Sequence, residues 1–134
     1  MNGSTIIVII IAIVGILAIW KLFLSVKVPA EAQLSPEEFE KKSKERGVVI
    51  IDVRTAAEFS SGKIKGAKNI SYPGGGFKSS VDKMDRNSTY LVYCLSGSRS
   101  AGALNQMKTM GFNSVYHLNH GINNWRSSGK SLAR

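Results

Sequence analysis

The chain has a single cysteine, few acidic residues in its second half and no charged side chain before Lys21. One cysteine among 134 residues excludes an internal disulfide, so the fold does not depend on oxidising conditions. No cluster of residues has metal-ligand spacing, and we predict neither a metal site nor a cofactor. Internal repeats are absent too. The length accommodates a membrane segment and one domain of about 100 residues.

Acidic residues are scarce after Phe59. Up to that residue seven acidic side chains accompany seven basic ones, whereas from Ser60 onward only Asp82 and Asp85 oppose eleven Lys and Arg. A basic half of this kind suits small anionic substrates, and most of its charges would lie on a solvated surface. Because no basic helical run or nucleic-acid motif accompanies it, we predict no nucleic-acid partner.

An uninterrupted apolar run extends from Ile6 to Trp20. Continued to Leu24 it reaches about 20 residues, the length with which a helix crosses a bilayer. We therefore predict a transmembrane helix and its flank over residues 1–27, and a single-pass membrane protein that contacts the bilayer through this helix. A cleaved signal peptide is the alternative, with residues 28–30 as the cleavage site, but the segment lacks a positive n-region.

Basic residues follow the apolar run and do not precede it. The positive-inside rule then predicts that the rest of the chain lies in the cytoplasm, and a periplasmic or other extracytoplasmic location is the alternative. We predict a linker over residues 28–34 and one domain over residues 35–134.

Apolar runs and helix signals alternate along that domain. Strands are predicted over residues 48–53, 67–71, 89–93 and 114–118, and helices from residue 36, from residue 56, near 80–84, over 100–111 and over 121–128. Ser35 and Thr55 are the predicted caps of the first two helices. The pattern is typical of an α/β domain with a mostly parallel central sheet and helices on both faces. Sites in such domains lie where strands end, as Cys94 and Asp52 do.

Cys94 opens a short Ser/Gly loop between a predicted strand and a predicted helix. Free N–H groups of the loop and of the first helical turn can converge on its sulfur, and with the helix dipole and Arg99 they favour a thiolate. A lone cysteine is more often a small buried hydrophobe, but Gly97, Arg99 and this context favour the reactive interpretation. We predict two catalytic residues, Cys94 and Arg99, and five substrate-binding residues: Leu95, Ser96, Gly97, Ser98 and Ser100.

Four residues separate Cys94 from Arg99. Phosphatases of the C-x5-R type have five, and the shorter loop leaves less room for a phosphoryl group and suits one extra sulfur on the cysteine. Phosphatase or arsenate reductase activity is therefore disfavoured. Over residues 35 to 129 the chain resembles the rhodanese-like sulfurtransferases. The resemblance is carried by the cysteine loop with Tyr93, the stretches 51–54 and 58–59, and the closing residues Leu118, Gly121 and Trp125.

The resemblance implies the rhodanese-like fold and a reaction through a Cys94 persulfide. The cysteine would take a sulfane sulfur from thiosulfate or a similar small anionic donor and pass it to a thiol or to cyanide. The alternative is a membrane-tethered binding module that carries a persulfide without significant turnover. The sequence identifies no protein partner.

Other polar residues receive supporting roles. We predict that Asp52, Arg54 and Glu58 orient the loops, and that His117 and His120 are structural or exposed. The family often has His, Pro and Gly at the positions of Lys63, Lys65 and His120, and these departures concern substrate preference more than chemistry. The methionines Met107 and Met110 fall on the apolar spacing of their helix and are predicted core residues.

Overall fold

The structure, a computed structural model, describes residues 1–24 and 27–134. Ser25 and Val26, in the predicted membrane flank, lie outside the described residues. A helix, α1 (Gly3–Leu24), comes first, and a 3-10 turn at Ala30–Ala32 follows. The remaining elements are β1 (Gln33–Leu34), α2 (Pro36–Ser43), β2 (Val49–Asp52), α3 (Ala56–Ser61), β3 (Lys68–Asn69), α4 (Phe77–Asp82), β4 (Thr89–Tyr93), α5 (Ser98–Thr109), β5 (Ser114–Leu118) and α6 (Gly121–Ser127).

Helix α1 is a continuous apolar helix of 22 residues. At 1.5 Å per residue it is about 33 Å long, close to the thickness of a bilayer core. Its side chains from residue 3 to residue 21 are all exposed, so they take no part in the core of the domain. The helix is long and apolar enough to cross a membrane, a property that signal sequences near an N-terminus share.

The other elements build a five-stranded, all-parallel sheet in the order β1-β5-β4-β2-β3, which confirms the predicted α/β fold class. The edge strand β1 comes from the last two residues of the predicted linker. Gln33 pairs with His117 and Leu34 with Leu118. The first strand of the sheet therefore lies before residue 35. The side chain of Leu34 is buried there and packs with the core.

Helices cover both faces of the sheet, as predicted. In β4 successive side chains alternate between two apolar clusters: Val92 packs on the α4 and α5 side, and Leu91 and Tyr93 pack on the α2 and α6 side. The first cluster is formed chiefly by Ile51, Val53, Phe77, Val81, Val92, Ala103, Leu104, Met107 and Val115. The second is formed chiefly by Leu34, Phe39, Ile50, Leu91, Tyr93, Leu118, Ile122 and Trp125.

Local signals set several helix starts. Ser35 and Thr55 each form a capping box with the glutamate three residues later, Glu38 and Glu58. Other boundaries differ from the predictions. Helix α5 begins at residue 98 instead of 100, β3 contains two residues instead of five, and α4 begins at Phe77, whose ring is buried, instead of near residue 80.

The register brings the carboxyl ends of the central strands to one edge of the sheet. Asp52 at the end of β2 pairs with Tyr93 at the end of β4, and His117 in β5 pairs with Val92. The residue that follows β4 is Cys94. The turns after β2, β4 and β5 thus lie at the same edge of the sheet as the cysteine.

Candidate active site

Cys94 is fully buried where β4 ends, and it is a free thiol. The chain then turns through three loop residues into α5, whose first residue is Ser98. A helix N-terminus presents unpaired N–H groups and the positive end of its dipole, so α5 starts beside the sulfur with the polarity that favours an anion. This is the strand–loop–helix arrangement predicted from the sequence.

Gly97 holds the loop around the sulfur. Its backbone N–H donates a hydrogen bond to Cys94 Sγ over 3.1 Å. The residue has φ +108°, a left-handed conformation that favours glycine, and a Cβ atom there would lie 3.3 Å from the backbone nitrogen of His120. A side chain at this position would therefore strain the turn that places the N–H on the sulfur.

The remaining loop residues divide between the surface and the interior. Leu95, Ser96 and Ser98 are exposed around the cysteine, where a small substrate would approach. Ser100 is fully buried, and its Oγ lies 3.5 Å from Cys94 Sγ and 3.1 Å from the carbonyl oxygen of Gly97. The substrate-binding roles of all five residues stay predictions.

Arg99 lies in the first turn of α5 and forms a bidentate ion pair with Glu58 of α3. Nη1 donates to Oε1 over 2.8 Å and Nη2 donates to Oε2 over 3.0 Å. The hydrogen bonds from Arg99 lower the pKa of Glu58 from 4.5 to about 2. The same pairing raises the pKa of Arg99, and the charge of a Cys94 thiolate contributes in the same direction. A residue predicted to be catalytic is thus tied to one predicted to be supporting.

Asp52 and Arg54 form a second, fully enclosed ion pair at the end of β2. Arg54 Nη2 lies 2.7 Å from Asp52 Oδ2 and also donates to the carbonyl oxygen of Gly62 over 2.7 Å. Both side chains are buried. Their hydrogen-bond partners belong to β2 and to the turn after α3, so the pair orders that turn. The Arg54 guanidinium also lies 5.8 Å from the centroid of the Tyr93 ring. This placement is compatible with the predicted supporting role.

His117 reaches the cysteine loop from β5. The side chain is buried, and Nδ1 lies 2.9 Å from Ser100 Oγ. Burial lowers the pKa of His117 to about 4, with a smaller effect from His120. The sequence placed His117 in a strand but gave no sign of this contact. The contact between His117 and Ser100 could have been inferred only from the pairing of β5 with β4, which requires the order of strands in the sheet.

The turn after β5 packs directly on the cysteine loop. The N–H of Ile122 donates to the carbonyl oxygen of Cys94 over 2.9 Å, and that of Asn123 donates to the carbonyl oxygen of Leu95 over 3.2 Å. Gly121 has φ +63° and lies so close that a Cβ atom would contact both carbonyl groups. His120 precedes it, exposed and with φ 59°.

Away from this edge, a groove of about 500 Å³ lies between α2, β2 and the turn before β3. It is lined by residues such as Glu40, Lys44, Lys65 and Trp125, and none of the predicted site residues contributes to it. Within residues 1–24 and 27–134, no group of three or more His, Cys, Asp or Glu side chains is arranged to hold a metal ion.

Comparisons with known proteins agree with this geometry. The chain is 28% identical over 99 residues to the thiosulfate sulfurtransferase GlpE of Pseudomonas fluorescens, a match that covers 74% of this chain and 89% of the other. It is 31% identical over 104 residues to the tRNA uridine(34) hydroxylase of Ehrlichia canis, where the match covers 73% of this chain and 38% of the other.

Among solved structures, the Alr3790 protein from Anabaena sp. superposes with a TM-score of 0.67 at 19% identity, over 75% of this chain and 81% of the other. That likeness concerns the fold. The family profile of the rhodanese-like domain matches residues 35–128, which include every predicted site residue. The buried cysteine between β4 and α5 therefore lies in a domain of a known kind, and the chain belongs to the rhodanese-like family, whose membership supports an enzyme of the sulfurtransferase type.

Proposed function

We propose that this chain is a sulfurtransferase that moves a sulfane sulfur from thiosulfate, or a similar small anionic donor, to a thiol or to cyanide through a persulfide on Cys94. The observation that supports this most directly is the sulfur itself. It lies at the end of β4 and the start of α5, and it accepts the N–H of Gly97 within a loop of only four residues before Arg99.

The reaction takes place in two displacement steps at sulfur. The Cys94 thiolate attacks the outer sulfur of the donor, a new S–S bond forms, and the S–S bond of thiosulfate breaks so that sulfite leaves with the electron pair. The acceptor, as a thiolate or cyanide, then attacks the outer sulfur of the persulfide, and Cys94 departs as the thiolate. Neither step requires proton transfer at the sulfur once the thiolate is present.

The loop supplies the electrostatic environment for both steps. The N–H of Gly97 stabilises negative charge on Sγ, and the N-terminus of α5 favours an anion delivered to the loop. The ion pair with Glu58 partly neutralises Arg99, and the pair holds the guanidinium close to the cysteine loop. We propose that Arg99 stabilises the charge of the donor from this position.

The two relatives described above have different names, a thiosulfate sulfurtransferase and a tRNA hydroxylase. The choice of donor and acceptor is therefore part of the proposal. A phosphatase reaction is disfavoured because the loop to Arg99 is one residue short of the C-x5-R length.

We also propose that α1 anchors the enzyme in a membrane. The helix is about 33 Å long, and its side chains over residues 3–21 are exposed. Lys21 and Lys27 follow its apolar stretch, and by the positive-inside rule they support a cytoplasmic domain.

Intact-mass measurement on the full chain, kept in a mild detergent, tests the proposed reaction. Incubation with thiosulfate should add the mass of one sulfur atom, and cyanide should remove it. Because Cys94 is the single cysteine, the gain needs no mapping. The matched control is Cys94→Ser, which should keep its melting temperature within a few degrees and never gain mass, since a hydroxyl has no accessible anion near neutral pH.

If thiosulfate, small persulfides and mercaptopyruvate all leave the mass of the folded chain unchanged, the enzyme proposal is wrong. The module that only binds would then replace it. Hydrolysis of an aryl phosphate that disappears in Cys94→Ser would instead support a phosphatase.

A further inference from the structure

Three buried side chains form a continuous path into the domain from the sulfur. Cys94 Sγ lies 3.5 Å from Ser100 Oγ, and Ser100 Oγ lies 2.9 Å from His117 Nδ1. The imidazole also packs on the loop, because a Cβ atom on Gly97 would lie 3.9 Å from His117 Cε1. Cys94 and Ser100 are fully buried and His117 is 4% exposed, so water does not compete for these contacts.

The hydroxyl of Ser100 has one proton, and the acceptor to which it donates depends on the charge of the sulfur. When Cys94 is a thiol, its S–H can donate to Ser100 Oγ and the hydroxyl can donate to His117 or to the carbonyl oxygen of Gly97. When Cys94 is a thiolate, the sulfur only accepts, so the hydroxyl proton is best directed at it. The carbonyl oxygen of Gly97 keeps a partner in either case, because the N–H of Ala101 donates to it over 3.1 Å.

A hydroxyl that donates to the thiolate needs a donor of its own, and His117 can supply one. With the proton on Nδ1, the imidazole donates to Ser100 Oγ and leaves a bare lone pair on Nε2. Among the described residues Nε2 has no hydrogen-bond partner. A buried lone pair without a partner costs less than a buried N–H without one, so the environment favours this tautomer. Burial lowers the pKa of His117 to about 4, which keeps the ring neutral at neutral pH.

We propose that neutral His117 is a positioning residue for Cys94: its Nδ1–H donates to Ser100, which orients the Ser100 hydroxyl toward the thiolate. The path is a hydrogen-bond relay from β5 through α5 to the end of β4. It stabilises the thiolate without adding a positive charge to the site. The consequence for catalysis rests on the proposed sulfurtransferase function, whereas the contact and its effect on thiol reactivity do not.

Several other charged or titratable groups surround the loop, and the test has to hold them constant. They are Arg99 and Glu58 from α5 and α3, Asp52 and Arg54 from the end of β2, and His120 from the turn after β5. Variants at Ser100 and His117 leave all of these groups unchanged, and His120 is varied alone as a control.

The experiment measures the rate of Cys94 alkylation by iodoacetamide as a function of pH, with the full chain in mild detergent. The single cysteine makes the rate specific for this site. In His117→Val and in Ser100→Ala the midpoint of the rate profile should move upward by about 0.5 to 1 pH unit, the size expected for one lost hydrogen bond. His117→Asn should stay near the parent, because its amide N–H can replace Nδ1–H.

Two comparisons separate the relay from a general structural effect. The double variant Ser100→Ala/His117→Val should show no shift beyond that of Ser100→Ala, because both changes interrupt one path. His120→Asn removes an exposed imidazole and suits the positive φ, so its midpoint should equal that of the parent. An unmoved midpoint in folded His117→Val, or a His117→Val shift that persists in the Ser100→Ala background, overturns the proposal.

A measurement on the unmodified chain tests the relay even where a variant does not fold. Nitrogen NMR of His117 should show a neutral ring protonated at Nδ1 at the pH where alkylation is fastest, and a ring protonated at Nε2 there would contradict the relay. Neither measurement uses a sulfur donor. Midpoint shifts without any mass gain from donors would refute the sulfurtransferase and keep the relay, and the reverse result would refute the relay alone.

Discussion

Replacing Gly121 should destabilise the domain at one defined contact, between the start of α6 and the cysteine loop. It lies at the start of α6 with φ +63°, and a Cβ atom would contact the carbonyl groups of Cys94 and Leu95, with the Cys94 oxygen only 2.5 Å away. These atoms are backbone, so no flexible side chain can move aside. Gly121→Ala therefore has to displace either the cysteine loop or the start of α6.

The expected cost has two parts. Left-handed backbone costs a residue with a Cβ atom about 1–2 kcal/mol, and overpacking against rigid atoms costs about 1–3 kcal/mol more. Displacement would also weaken the hydrogen bonds that Ile122 and Asn123 donate to the two carbonyl groups. We expect a loss of about 3–4 kcal/mol in the free energy of unfolding, together with loss of sulfur uptake by Cys94.

Gly129→Ala is the matched control. Gly129 also has a positive φ, +83°, but nothing lies within 4 Å of its Cβ position. It should lose only the conformational part, about 1–2 kcal/mol, and keep sulfur uptake. Denaturant unfolding of both variants and the parent in the same detergent gives the comparison. Equal losses in the two variants would refute the argument that close approach, rather than backbone conformation, fixes glycine at position 121.

Two further predictions concern charge. Because the folded pKa of Glu58 is lowered to about 2, its ion pair contributes stability that is complete above pH 4.5 and is lost as the pH falls toward 2. The difference in melting temperature between the parent and Glu58→Gln should therefore shrink over that pH range. A constant difference would contradict this prediction. If α1 spans a membrane as proposed, the chain should stay with the membranes during an alkaline wash, and its domain should resist protease added outside intact cells. Replacing Lys21 and Lys27 while adding lysines at positions 2–5 should reverse that protection. Digestion of the unmodified domain from outside would refute the cytoplasmic placement.

Much of the fold was predictable because the relevant signals are local. The apolar run after Thr5 produces α1, and the Ser35 and Thr55 caps begin their helices through bonds to residues three positions away. Strand β5 has the predicted bounds. The strand–loop–helix surroundings of Cys94 follow from neighbouring segments too, so the sequence by itself singled out the cysteine.

The contacts among distant segments depend on the order of strands in the sheet. Glu58 meets Arg99 across 41 positions in the chain, and His117 meets Ser100 across 17. Strand β1 forms from the predicted linker because Leu34 finds a core to pack on. Composition and periodicity determine which face of an element is apolar, but they do not determine which element lies beside it. The sequence by itself therefore singled out Cys94 as the candidate nucleophile, and only the parallel packing of β5 against β4 decided that a buried histidine contacts Ser100 beside it.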